Sequence, residues 1–152
     1  MDAIDLRLVD LLRGNARLSY AELARQVGLS APAVHERVGK LEAGGVIRAY
    51  RAEVEPESIG LAVTALIGIV EDSAADTDDV LEALRQMPEI ESCYFMAGVE
   101  SFLLKARVAT IAELERLIVR LNRTPGVAST RTGIALSTKW ENRPQPGTQP
   151  TG

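Results

Sequence analysis

Residues 19–47, SYAELARQVGLSAPAVHERVGKLEAGGVI, decide how the rest of the chain is read. Ser19 and Glu22 stand three apart, the spacing of a capping box at a helix start. Leu23, Ala24 and Val27 give that helix a small apolar face. Gly28 permits the left-handed backbone of a tight turn, and Leu29 follows as an apolar plug. Ser30 suits the cap of a second helix, with Pro32 in its first turn, where a missing N–H does little harm. Val34, Val38 and Leu41 form the inward stripe, and Gly44-Gly45 end the helix. The pattern is a helix-turn-helix. Opposite the stripe lie Pro32, Glu36, Gly39 and Lys40, with Ala33 and His35 on the flanks and Arg37 beside the apolar side. A small, polar outer N-terminal half suits close approach to a DNA major groove. The competing reading is a helical hairpin whose outer face is merely solvated.

Ahead of this pair, residues 2–14 read as a preceding helix, with Ile4, Leu8, Leu11 and Leu12 at amphipathic spacing and Asp2 or Asp5 favouring its N-terminus. The three helices would share a small core. Residues 46–54, VIRAYRAEV, alternate like a strand and are expected as a short wing or a connector. Arg48 and Arg51 there are placed to reach phosphates, or simply to keep the strand soluble. Residues 53–60, EVEPESIG, hold a proline and a glycine and read as a linker after a DNA-binding domain of residues 1–52.

Residues 61–70, LAVTALIGIV, are almost all apolar, which predicts a strand buried on both faces, one of them by a partner subunit. An acidic loop leads to a helix with Val80, Leu81, Leu84 and Met87, ended by Pro88. Strands are expected at 90–97 and 102–108, a helix at 111–123, and a long last strand at 127–139. MPEIESC at 87–93 echoes TPGVAST at 124–130: each leaves a helix through proline and enters a strand through an apolar residue. The order β-α-β-β-α-β with this echo predicts a ferredoxin-like domain over residues 61–140, making the chain α+β: a winged helix-turn-helix unit followed by a ferredoxin-like one. Residues 141–152, rich in proline, glycine and polar types, read as a flexible tail.

Of the 152 residues 46% are hydrophobic, enough for a core, yet no apolar run reaches the roughly 18 residues of a membrane span. The acidic start MDAIDLRLVD is unlike a secretion signal, and the single cysteine, Cys93, excludes an intrachain disulfide and a multi-cysteine zinc site. A reducing, cytoplasmic setting is expected, with no metal and no cofactor. The net charge of −4 is unevenly spread: residues 1–52 carry eight basic and six acidic side chains, residues 53–152 nine and fifteen. A slightly basic reading unit binds phosphates weakly alone, so several copies are expected to act together. One histidine and one cysteine, His35 and Cys93, make no nucleophile–base pair, and no metalloprotease or phosphate-loop motif occurs, so no catalytic residues are expected. Cys93 and Met96 are expected as packing residues.

The run from ELARQVGLS through VHERVGKLEAGGVI, the β-α-β-β-α-β order, and AGVESFLL at 97–104 together resemble the leucine-responsive/asparagine-type (Lrp/AsnC) family, the feast/famine regulators, over roughly residues 2–140. The resemblance implies a transcription regulator bound to double-stranded DNA at a pseudo-palindromic operator, assembled as a dimer or a ring of four dimers, acting at the nucleoid. It also implies an effector domain that senses a small molecule, usually an amino acid, between subunits. Ser30, Ala31, Pro32, His35, Glu36 and Lys40 are the residues expected to face DNA, with Arg37, Arg48 and Arg51 as further phosphate contacts. For Glu36 an i,i+4 pair with Lys40 is the favoured alternative; for Arg37 a pair with an acid inside the domain stands level with the phosphate contact. His35 is expected as a polar contact, not a cation. The effector loop implied by the family is Ala97, Gly98, Val99, Glu100, Ser101 and Phe102, with Thr130, Thr132 and Ile134 of the last strand lining the same pocket. Glu100 stands where the family usually has aspartate. Two other functions compete: an architectural nucleoid protein with little effector control, and a tetrapyrrole-modifying enzyme, as some relatives of the family are. The second would need histidines in the C-terminal half, which has none.

Overall fold

The computed structural model describes residues 1–145 and divides into two compact units. One is Met1–Glu53 with the described residues from Trp140 onward; the other is Val54–Lys139.

In the first unit, α1 (Ala3–Gly14) opens with a reciprocal cap in which the Asp2 carboxylate accepts from the Asp5 N–H and the Asp5 carboxylate accepts from the Asp2 N–H. Helix α2 (Tyr20–Val27) carries the Ser19–Glu22 capping box and ends at Gly28 with φ 71°, a conformation that favours glycine. Helix α3 (Ala31–Ala43) is capped by the Ser30 hydroxyl, which accepts from the Ala33 N–H at 3.3 Å. Leu8, Leu12, Leu23, Ala24, Val34 and Val38 form the shared core. After α3 the expected wing is absent: residues 46–54 have no strand. A strand exists only where its N–H and C=O groups find a ladder. Here the Val46 and Ile47 N–H groups both turn back to the Leu41 carbonyl, and the Tyr50 hydroxyl donates to Glu42 at 2.7 Å.

In the second unit a short 3₁₀ turn (Pro56–Ile59) precedes β1 (Val63–Glu71), α4 (Thr77–Arg85), β2 (Ile90–Phe95), β3 (Phe102–Val108), α5 (Ile111–Arg123) and β4 (Val127–Ala135). The sheet is antiparallel throughout, in the order β2-β3-β1-β4. This is the expected β-α-β-β-α-β arrangement. The sequence echo has a structural counterpart: the Ile90 N–H bonds the Met87 carbonyl and the Val127 N–H bonds the Thr124 carbonyl, each at 3.1 Å. The last strand ends at Ala135 and not near 139 because Ala135 faces Thr64, close to the start of β1, and beyond it the register offers no partner.

Strand alternation sorts the sheet residues. Ala65, Ile67 and Ile69 of β1 and Phe102, Leu104, Ala106 and Val108 of β3 are buried against Val80 and Leu84 of α4 and Leu114, Leu117 and Leu121 of α5. The opposite face presents Thr64, Leu66, Gly68 and Val70, with Leu103, Lys105 and Arg107 beside them. Helices of the same unit cover one face of β1, as expected; on the other face, expected to meet a partner subunit, Leu66 is 46% exposed in the single chain. Cys93, on the edge strand β2, and Met96, in the loop that follows it, are both exposed instead of packed. Of the supposed tail, residues 141–145 are irregular, with the Arg13 guanidinium donating to the Gln145 carbonyl and Arg143 lying 5.1 Å from the Trp140 ring centre; residues 146–152 lie outside the described ones.

Candidate nucleic-acid interface and effector loop

Helix α3 keeps its apolar stripe, Val34, Val38 and Leu41, inside, and this alone fixes which side chains remain outside. Pro32, His35, Glu36 and Lys40 are exposed, while Ala31 is partly covered by the core. Ser30 is occupied as the N-cap. Lys40 and Glu36 form the one-turn ion pair at 2.7 Å, with their side chains 75% and 69% exposed. Such a pair is weak in water and exchanges readily with other partners. The Glu36 carboxyl is held below its usual range by the Lys40 hydrogen bond, then by its charge.

Arg37 is drawn elsewhere. Its guanidinium meets Asp5 at 2.7 Å and Asp2 at 2.8 Å, and those hydrogen bonds strengthen its hold on its proton. The two acids are the reciprocal cap of α1, so Arg37 ties α3 to the start of α1. Of the two readings of Arg37, a phosphate contact or an acid inside the domain, the structure shows the second. Arg48 and Arg51 are exposed on the irregular segment after α3. Beside them Tyr50 has its hydroxyl pKa pushed up to about 12 by partial burial and by the Glu42 bond, so the phenol stays a donor.

The loop between β2 and β3 folds back on β1. The Met96 N–H bonds the Ser101 carbonyl and the Ser101 N–H bonds the Ile69 carbonyl, both at 2.8 Å. Ala97, Gly98 and Val99 stay exposed at the tip. Glu100 then lies across the open face of the sheet, directly over Gly68. A Cβ at Gly68 would meet the Glu100 Cγ at 2.6 Å, so only glycine leaves room for that side chain. Arg131 of β4, opposite Gly68 in register, approaches the Glu100 carboxylate at 3.3 Å. Gly68, Glu100 and Arg131 therefore form one constellation from three separate segments. Sequence reading missed Gly68 and Arg131; the available signal was alternation along β4, unusable without the register.

The same alternation removes four expected residues. Thr130, Thr132 and Ile134 face Ile69, Ile67 and Ala65 across the β1–β4 ladder, so they lie on the helix side of the sheet. Thr130 accepts there from the Asn122 amide of α5 at 3.2 Å. Phe102 is 1% exposed, in the core, with its ring 5.4 Å from that of Phe95. It anchors the loop from below.

Further along the open face, Glu91 holds Lys105 at 2.7 Å and Arg107 at 2.5 Å. Burial pushes the Glu91 carboxyl up, but the hydrogen bonds from those two cations bring it below its usual range overall. Arg107 also donates to the Thr64 hydroxyl at 3.0 Å. Although Cys93 is exposed as a residue, partial desolvation of its thiol pushes the pKa up, which works against thiolate chemistry. Among the described residues no group of three His, Cys, Asp or Glu is arranged to hold a metal.

Comparison with known proteins gives concordant matches. The family model for the AsnC-type helix-turn-helix domain matches residues 1–42, and that for the Lrp/AsnC ligand binding domain matches residues 63–145. The chain is 39% identical over 143 residues to the HTH-type transcriptional regulator LrpA of Mycobacterium tuberculosis, covering 94% of this chain and 95% of the relative. Among solved structures, a feast or famine regulatory protein from M. tuberculosis complexed with L-methionine superposes with a TM-score of 0.90 at 38% identity, covering 96% of this chain and 99% of that one. A transcriptional regulator–L-Met complex from Neisseria meningitidis gives 0.86 at 28% identity, with 93% of both chains covered.

Proposed function

The chain belongs to the Lrp/AsnC family of helix-turn-helix transcription regulators, and from that membership we propose how its two units divide the work. The relative it matches over 94% of its length is a transcription regulator, and its first 42 residues match the AsnC-type helix-turn-helix domain. Residues 1–52 bind double-stranded DNA, residues 53–60 connect, and residues 61–140 bind effector and assemble copies of the chain. It acts in the cytoplasm, on the nucleoid; no helix among the described residues is long and apolar enough to cross a membrane.

The observation that carries the DNA reading is the outward face of α3, whose apolar stripe is buried while Pro32, His35, Glu36 and Lys40 stay exposed where a groove would meet them. Ser30 at the helix start offers backbone N–H groups to a phosphate, with Ala31 and Pro32 small enough for close approach. Lys40, Arg48 and Arg51 supply phosphate contacts. Each chain contributes one reading helix, so a two-fold dimer reads a pseudo-palindromic operator. The apolar residues left on the open sheet face, Leu66 above all, support self-association through that face.

The effector is an amino acid or a close relative of one. Glu100 and Arg131 offer a carboxylate and a guanidinium 3.3 Å apart on an exposed surface. These are the two complements of a zwitterion: the ligand ammonium meets Glu100 and its carboxylate meets Arg131. The loop of Ala97, Gly98, Val99 and Ser101 frames them. The L-methionine complexes of the two structural neighbours support this class of ligand.

The test is a titration of labelled promoter DNA with the full chain, with and without each of the twenty amino acids, beside light scattering for assembly state. Retarded, sequence-dependent binding that at least one amino acid alters is expected. Sequence-dependent binding that no amino acid alters would leave an architectural protein. Lys40→Ala is expected to weaken binding to all sequences and to lower the slope of log affinity against log salt by about one.

A further inference from the structure

Tyr20 has no part in the reading above, yet it touches the most base-like side chain of α3. The inference rests on α3 being the DNA-reading helix. His35 is the sole histidine of the chain and is exposed on that helix. Its ring centre lies 4.9 Å from that of Tyr20, and the two planes meet at 77°. This is an edge-to-face contact, in which the positive rim of one ring lies against the negative face of the other. Tyr20 is the first residue of α2, and the capping box fixes its backbone: Glu22 accepts from the Ser19 N–H at 2.7 Å, and Ser19 accepts from the Glu22 N–H at 3.2 Å. Tyr20 stays 40% exposed, and its hydroxyl makes no hydrogen bond among the described residues.

An exposed histidine rotates broadly about its last side-chain torsion, so it offers a ring N–H or a ring nitrogen lone pair in many directions. Discrimination between base edges needs one direction, because the donor and acceptor pattern of the major groove is read by geometry. We propose that Tyr20 is a specificity-determining positioning residue: its edge-to-face contact fixes the plane of the His35 imidazole so that the imidazole reads one base edge. The turn at Gly28 brings the start of α2 beside the first turns of α3 and makes the contact possible.

Selection of binding sites from a random duplex library, with the full chain and its variants, tests this. The wild type is expected to enrich a motif, and Tyr20→Phe to enrich the same one, because the ring is kept. Tyr20→Ala is expected to flatten preference, by about two- to tenfold, at the positions that His35→Ala flattens. Affinity for random DNA is expected to move less than about twofold, since phosphate contacts carry it. Tyr20→Leu keeps apolar bulk without a π-face and is expected to match Tyr20→Ala, which separates ring contact from packing and fold. The double variant Tyr20→Ala with His35→Ala is expected to lose no more than His35→Ala alone. Preference retained in both Tyr20→Ala and Tyr20→Leu overturns the inference, as does a motif indifferent to His35→Ala. A wild-type chain that enriches no motif overturns the DNA reading and this inference with it.

Discussion

Arg37 and Arg131 each meet acidic side chains, but to different ends. Arg37 takes two carboxylates, Asp2 and Asp5, from another helix and binds α3 to the start of α1. Arg131 takes one, Glu100, on the open face of a sheet, at 71% exposure. In the helical unit the charge pair holds the scaffold, and the outer surface of α3 is left to polar residues along one short segment. In the sheet domain the scaffold is held by a dry apolar face, and the charge pair lies on the other face. A small core of three helices gains from an ionic clasp between them, whereas the pair on the sheet lies outside the apolar core, at its exposed face.

The largest effect is expected where the dry face is emptied. Leu104→Ala should cost about 2–5 kcal/mol, read as a lower urea midpoint. Leu66→Ala, on the opposite face, should cost far less in dilute protein, with a penalty that grows with concentration where copies associate through that face. Equal losses at both positions in dilute protein would erase the distinction between the faces. Next comes Gly68→Val, whose Cβ meets the Glu100 side chain at contact distances no real structure tolerates. It should cost about 1–3 kcal/mol by overpacking and abolish the thermal shift given by whichever amino acid stabilises the wild type.

Arg37→Ala should lower Tm by less than either. Its signature is the pH dependence. The Asp2 carboxyl is held below its usual range by the Asp5 N–H and then by Arg37. A depressed folded-state pKa contributes stability that is present above the unfolded value and lost as pH falls through the folded one. Acid melting of the wild type should therefore show a loss below the usual carboxylate range of about pH 4, and Arg37→Ala should show a smaller one. An unchanged acid limb would mean that the clasp contributes nothing. The smallest effect is expected of Glu36→Gln: no measurable change in Tm, and tighter binding to random DNA, because Lys40 loses a competing partner.

Much of the helical unit was legible beforehand because its signals are local. Caps, a turn glycine and a 3.6-residue stripe lie within a few positions of one another, so Ser19, Glu22, Gly28 and Ser30 announced their roles in the sequence. The clasp was only half visible: an acid partner for Arg37 was foreseen, but not which acid, since Asp2 and Asp5 belong to another helix. The alternation of residues 46–54 misled, because alternation describes a strand only when another strand takes its hydrogen bonds. In the sheet domain the element order and the boundaries of α5 and β3 were readable from apolar period, while α4 ends at Arg85, before Met87 of its expected stripe. The effector site was readable only as a loop.

Local sequence was enough to give the type of every helix and sheet strand and the inward side of each helix, because those depend on neighbours one turn or two residues away; it failed at 46–54, where a strand needs a distant partner. It also determined the two halves of the β-α-β-β-α-β domain, through the repeated exit from helix to strand. That Glu100 lies on Gly68 and beside Arg131, and that Thr130, Thr132, Ile134 and Phe102 turn the other way, followed from strand pairing alone. Side chains on a strand change face at every residue, so a shift of one position in pairing reverses them all, and that pairing is set by contacts more than thirty positions apart.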